Sequence, residues 1–148
     1  MMENLMKTMK NSISEVLETM FYLPVEFKEN LAPEEISLIK KDIKTGCRLN
    51  VSGSFPATFQ LFIPDPLLIE MTQNFMGELK ENCTKEYLYG TLKEALNMIV
   101  GNTLRAMKTK TPPELDIPEI INNSDMESGS LIIIETIKGI MAMQILMK

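Results

Sequence analysis

Glu94 and Asn97 lie three residues apart in the stretch KEALNMIVGN (93–102), inside a segment whose apolar residues recur at helical spacing. A carboxylate and a carboxamide at that separation share one helix face. Steps of 4, 3, 4 and 4 draw Gly90, Glu94, Asn97, Gly101 and Arg105 into a single line. Glu and Arg suit a solvated surface. The two glycines do not, since each costs roughly 1 kcal/mol against alanine in a helix interior. A glycine there lets another backbone or a ligand come close. The line is therefore read as a docking face, with Gly90, Gly101 and Arg105 framing a small active site made of Glu94 and Asn97. The plainer alternative is a solvent-exposed helix surface. The spacing alone is a weak signal, because Glu119 and Asn122 repeat it after Pro118, where a loop or strand cannot present one helical face.

Composition narrows the chemistry such a site can perform. The 148 residues include no histidine, which removes Ser-His-Asp and Cys-His catalysis, imidazole acid–base chemistry and His metal sites together. The two cysteines, Cys47 and Cys83, have no C-x-x-C spacing and build no framework of bridges. Neither G-x-x-x-x-G-K-[ST] nor G-x-G-x-x-G occurs, so nucleotide binding has no support. A formal net charge of −5 without a basic cluster argues against nucleic acid. No stretch approaches the length of a membrane span, and the N-terminal MMENLMKTMKNSISEVLETM lacks the apolar core of a signal peptide. A reduced, cytoplasmic protein is expected. An enzyme built from these residues works with carboxylates, amides, hydroxyls or lysine.

The elements that position this face follow from periodicity. Residues 3–21 read as a helix, with Met6, Met9, Ile13, Val16, Leu17 and Met20 at three- and four-residue steps. Residues 25–45 are ambiguous, with a turn near Ala32 and Pro33 and a strand through Ile36–Ile43. GCRLNVSG and PATFQLFIP read as a hairpin turning at Gly53-Ser54. A helix then opens with Asp65 as N-cap and Pro66 in first position, and ends at Gly77. The helix from about Thr84 to Lys108 buries Leu88, Leu92, Ala95, Leu96, Ile99 and Thr103 on one side. Residues 110–127 form a loop holding one edge strand. GSLIIIET and GIMAMQILMK form a second hairpin across Lys138-Gly139. A row of methionines along the first helix (Met2, Met6, Met9, Met20) reads as core filling rather than as an adaptable binding surface.

Helix then hairpin, a connecting helix, then helix then hairpin is the pattern of an internal duplication. TFQLFI (58–63) resembles AMQILM (142–147), with Gln in the same place, and SEVLETMF (14–21) aligns with GTLKEALN (90–97), pairing Glu18 with Glu94.

KEALNMIVGN resembles the E-x-x-N-M-I-x-G-N segment of CheX, in the CheC/CheX/FliY group of bacterial chemotaxis phosphatases. SISEVLETMFYLP resembles the first helix of CheX-like domains, and LNVSGSFPATFQLFIPDPLLIEMTQNFMG their hairpin-plus-helix segment. The likeness implies a single CheX-like domain over 1–148, an α+β fold of two pseudo-symmetric helix-plus-hairpin halves. These would form a mainly antiparallel sheet packed against long helices. It also implies dephosphorylation of a CheY-type response regulator carrying an aspartyl phosphate. Asn97 would position the attacking water and Glu94 would dock a partner lysine. No cofactor of its own is implied; Mg²⁺ would come with the partner.

Departures from the family are informative. Gly90 stands where Asp or Ser is frequent. In the first half Ser14 and Glu18 match but Phe21 replaces Asn, which implies a degenerate second site. Homodimers through sheet edges are expected, a role the apolar final strand would suit unless it lies in the core. The alternatives are a non-catalytic module docking a response regulator or scaffold, and a structural dimer related to flagellar-switch components.

Overall fold

The computed structural model describes residues 2–77, 82–127 and 129–148. In chain order it contains α1 (Met2–Met20), β1 (Glu26–Lys28), α2 (Pro33–Asp42), β2 (Thr45–Ser52), β3 (Ala57–Ile63), α3 (Asp65–Met76), α4 (Lys85–Met107), β4 (Glu114–Leu115), β5 (Glu119–Asn122), β6 (Ser130–Thr136) and β7 (Gly139–Met147). One antiparallel sheet runs β1-β6-β7-β3-β2-β4, and β5 joins the same outer side of β2.

Strand alternation gives the sheet two unlike faces. Phe59, Leu61 and Ile63 of β3 enter the main core with Met141, Met143 and Ile145 of β7. There they meet Ile13 and Leu17 of α1, Leu68 and Met71 of α3, and Leu92, Leu96 and Ile99 of α4. Phe62 points the other way, into a smaller cluster with Ile43, Ile133 and Ala142 that Ile39 of α2 helps to cover. Most of the methionine row behaves as core, Met9 buried and Met2 and Met6 packed against it, while Met20 is exposed.

Helices α1 and α4 run antiparallel, with Asn4 beside Met107 and Met9 beside Thr103, whose hydroxyl donates to the Met9 sulfur at 3.4 Å. Carried along both helices at about 1.5 Å per residue, this register sets Glu18 level with Glu94. In the sheet, Gln60 pairs directly with Gln144. The pairs matched by the internal repeat therefore lie opposite each other, Gln60 bonded to Gln144 and Glu18 level with Glu94, as a pseudo-twofold axis requires.

Four expectations need correction. Of residues 36–43, expected to be extended, 36–42 are helical and Ile43 caps the helix. Pro33 starts α2, Glu34 and Glu35 occupy its first turn, Lys40 and Lys41 its last, and the Glu35 carboxylate accepts from the Ala32 N–H at 3.3 Å. Asp65 is the first residue of α3, not its cap; Pro64 holds the cap position and the Asp65 carboxylate accepts instead from the Thr45 hydroxyl at 3.0 Å. The 110–127 segment holds two short strands, β4 and β5, instead of one. The final strand β7 lies between β6 and β3, so it offers no free edge to a second copy.

Candidate active site

Helix α4 is held from both ends and along one side. The Thr84 hydroxyl caps its first turn by accepting from the Tyr87 N–H, and Lys108 closes it in left-handed conformation. Thr91, Leu92, Ala95, Leu96, Ile99, Val100, Thr103 and Leu104 are buried beneath it. A helix anchored in this way presents its outer residues with little freedom, which is what a positioned catalytic group needs.

Glu94 is exposed and Asn97 half-buried on the outer face. Among the described residues, neither side chain has a hydrogen bond or an ion pair, so a carboxylate and a carboxamide stand ready side by side. They are separated by about 4.5 Å along the axis. Gly90 has nothing within 4 Å of where a side chain would start. Gly101 is nearly as open, with only Arg105 Nη2 at 3.9 Å from that point. The Arg105 guanidinium donates to Asn102 Oδ1 at 3.0 Å, so it lies back along the helix. The five residues of the line are thus brought together on one accessible ridge. Tyr87, three residues before Gly90, extends the same line and is exposed. Its i−3 spacing from Gly90 is the sequence signal for it.

The look-alike pair belongs elsewhere. Glu119 sits in β5 opposite Arg48, accepting from its Nη1 at 3.1 Å, and Asn122 caps the 3₁₀ turn Asn123–Asp125 by accepting from the Ser124 N–H. In the first half, Ser14 is half-buried and Glu18 exposed, but Phe21 is fully buried and packs its ring 5.2 Å from that of Phe75. Phe21 thus leaves this half without a carboxamide at the position that Asn97 holds in the other.

The Cys47 thiol is closed off as well. Cys47 lies buried in β2, and burial pushes its thiol up to about 12, with Glu119 raising it further and Lys93 opposing; it stays protonated at physiological pH. Among the described residues no group of three or more Asp, Glu or Cys side chains is arranged to hold a metal ion. No helix among them is long and apolar enough to cross a membrane.

An antiparallel sheet backed by two antiparallel helices, with a carboxylate–carboxamide pair on one of them, defines a class of two-halved α+β proteins. Residues 45–134 match the family described as chemotaxis phosphatase CheX, and the chain belongs to that family. Its fold is similar to that of chemotaxis protein CheX from Vibrio vulnificus (TM-score 0.77, 17% identity, covering 97% of this chain and 96% of that one). It is also similar to a chain of the CheX–CheY–BeF₃–Mg²⁺ complex from Borrelia burgdorferi (TM-score 0.70, 12% identity, 97% of each chain). FliY from Thermotoga maritima shares the fold at TM-score 0.62 and 13% identity, over 95% of this chain and 84% of that one. No curated protein sequence matches.

Proposed function

We propose that this protein hydrolyses the aspartyl phosphate of a CheY-type response regulator, with Asn97 positioning the attacking water and Glu94 docking a lysine of the regulator. The observation that carries this reading is the pair itself: Glu94 and Asn97, uncommitted and adjacent on an accessible helix face, in a member of the CheX family. An acyl phosphate is already activated, so its in-line hydrolysis needs an oriented water more than a strong base. A carboxamide can accept from that water and donate to a phosphoryl oxygen at once. A chain without histidine therefore has what the reaction asks for.

The relative crystallised with CheY, BeF₃ and Mg²⁺ supports a CheY-type partner and a metal ion that arrives with it. The reading places one CheX-like domain in the cytoplasm, with one active half per chain and Ser14, Glu18 and Phe21 as its inactive counterpart. A homodimer joined at a sheet edge would use β1 at one side or β4 and β5 at the other.

The test is loss of radiolabelled aspartyl phosphate from a CheY-type receiver, with wild type and Asn97→Ala compared side by side. Asn97→Ala is expected to lose about 100-fold in turnover, the scale set by misplacing a reacting group, and to keep binding to the charged receiver. Full activity in Asn97→Ala would sink the water-positioning role. A second reading, a non-catalytic docking module, is favoured by Gly90 at a position where the family often carries Asp or Ser. Binding without any acceleration by wild type would select it.

A further inference from the structure

Half of the exposed large apolar side chains among the described residues lie at one end of the helical layer. Tyr87 is 45% exposed on α4, Met20 ends α1 with Tyr22 (72% exposed) two residues beyond it, and Phe75 and Met76 end α3. These segments are neighbours: Phe21 stacks on Phe75, and the Asn74 amide donates to the Phe21 carbonyl at 2.8 Å. The antiparallel register of α1 and α4 sets Met20, the last residue of α1, level with Leu92, so Tyr22, two residues beyond, follows α1 out at the N-terminal part of α4. Exposed apolar side chains from three elements therefore form a shoulder at the end of the layer where the Glu94–Asn97 ridge begins, and Tyr87 stands on that ridge. Contiguous exposed apolar surface of this kind is uncommon unless something covers it.

We infer that Tyr87, with Tyr22 at the same end of the helix pair, is the apolar anchor that holds the phosphorylated receiver domain on this face. The inference rests on the function proposed above and names the affinity-determining part of the same surface. The argument is one of reach. A standard interface covers about 800 Å² on each partner, a patch of about 16 Å radius. Tyr87 lies ten residues from Asn97, or about 15 Å along the helix. A receiver that brings its phosphate to Asn97 covers this shoulder if its footprint is of ordinary size. Division of labour follows: Glu94 and Asn97 are polar and set register and chemistry, whereas a half-exposed tyrosine, rigid and amphipathic, is the residue type that dominates binding energy.

The test measures binding of beryllofluoride-charged CheY-type receiver together with KM and kcat for dephosphorylation, in full-length protein. Tyr87→Ala should raise both Kd and KM about tenfold, as loss of an interface anchor does, with kcat held. Tyr87→Phe should recover most of the affinity. Tyr22→Ser, which lies outside α4 and leaves that helix intact, should raise KM as well. Leu38→Ser, at an exposed leucine away from the shoulder, should change neither constant. Wild-type KM in both Tyr87→Ala and Tyr22→Ser, alongside an inactive Asn97→Ala, would overturn this inference and leave the phosphatase standing. A dimer-to-monomer change in Tyr87→Ala at unchanged KM would assign the shoulder to a second copy and overturn it too. If wild type neither binds nor dephosphorylates any receiver, the functional reading fails first and the anchor falls with it.

Discussion

At the scale of the residue, the division of roles between Glu94 and Asn97 rests on what each side chain can do. A carboxylate only accepts and carries charge; a carboxamide accepts and donates without charge. Glu94 is therefore suited to electrostatic docking, whose strength depends on screening, and Asn97 to local orientation, which does not. Reversing the charge with Glu94→Lys is expected to raise KM about tenfold at low salt, by placing like charges opposite each other. The difference from wild type should narrow as ionic strength rises, while kcat at saturation changes little. Steady-state kinetics across a salt series measures this; a salt-independent loss of kcat would instead assign Glu94 to the chemistry. Glu119 and Asn122 share the spacing but are held by Arg48 and Ser124 in the sheet and its following turn.

The element that matters most is α4, and its glycines tie sequence to function. Nothing within 4 Å would meet a Cβ at Gly90, and its backbone is ordinary right-handed helix. Gly90→Ala is therefore expected to stabilise the isolated chain by up to about 1 kcal/mol, which for a chain of this size raises Tm by about 2–4 °C. If the glycine is there for close approach by the regulator, the same variant should raise KM in parallel. Thermal melts and kinetics on one preparation separate the two effects. How far α4 was legible follows from its length and its unbroken 3.6-residue pattern, together with a capping threonine and a line of glycines that apolar burial does not explain. Helix α2 was not legible for the opposite reason. Its apolar residues Ile36, Leu38 and Ile39 are few, and two of them are β-branched, so they favour a strand reading. The terminal charges and Pro33 that make it a helix act only at its ends. Asp65 shows a third limit: a good capping residue was drawn instead to Thr45, a partner 20 positions away that no local pattern reveals.

Over the whole molecule, the internal repeat converges on one buried contact. Gln60 and Gln144 face each other on adjacent strands, and the Gln60 amide donates to the Gln144 oxygen at 3.1 Å and to the Asp125 carbonyl at 3.2 Å. Arg48 Nε donates to the Gln60 oxygen at 2.9 Å, and the Gln144 amide donates to the Glu127 carbonyl while its oxygen accepts from the Glu127 N–H. Both glutamines are buried, so between them they satisfy polar groups that would otherwise be stranded under the loop between β5 and β6. Gln144→Leu is expected to cost about 1–3 kcal/mol for each group left unpaired, since a buried donor or acceptor without a partner bears its full desolvation penalty. Gln60→Leu should cost a similar amount, because it abandons Arg48 and the Asp125 carbonyl. The double variant should cost less than the two single changes added together. Once both amides are gone, the bond between them is no longer missing from either side, and two apolar side chains can pack across the central strand pair. Urea denaturation of the four proteins in the cycle gives the coupling directly. Additivity would mean that each glutamine serves only its own loop contacts. A coupling of about 1 kcal/mol or more would show that the two halves are bonded to each other at their shared axis.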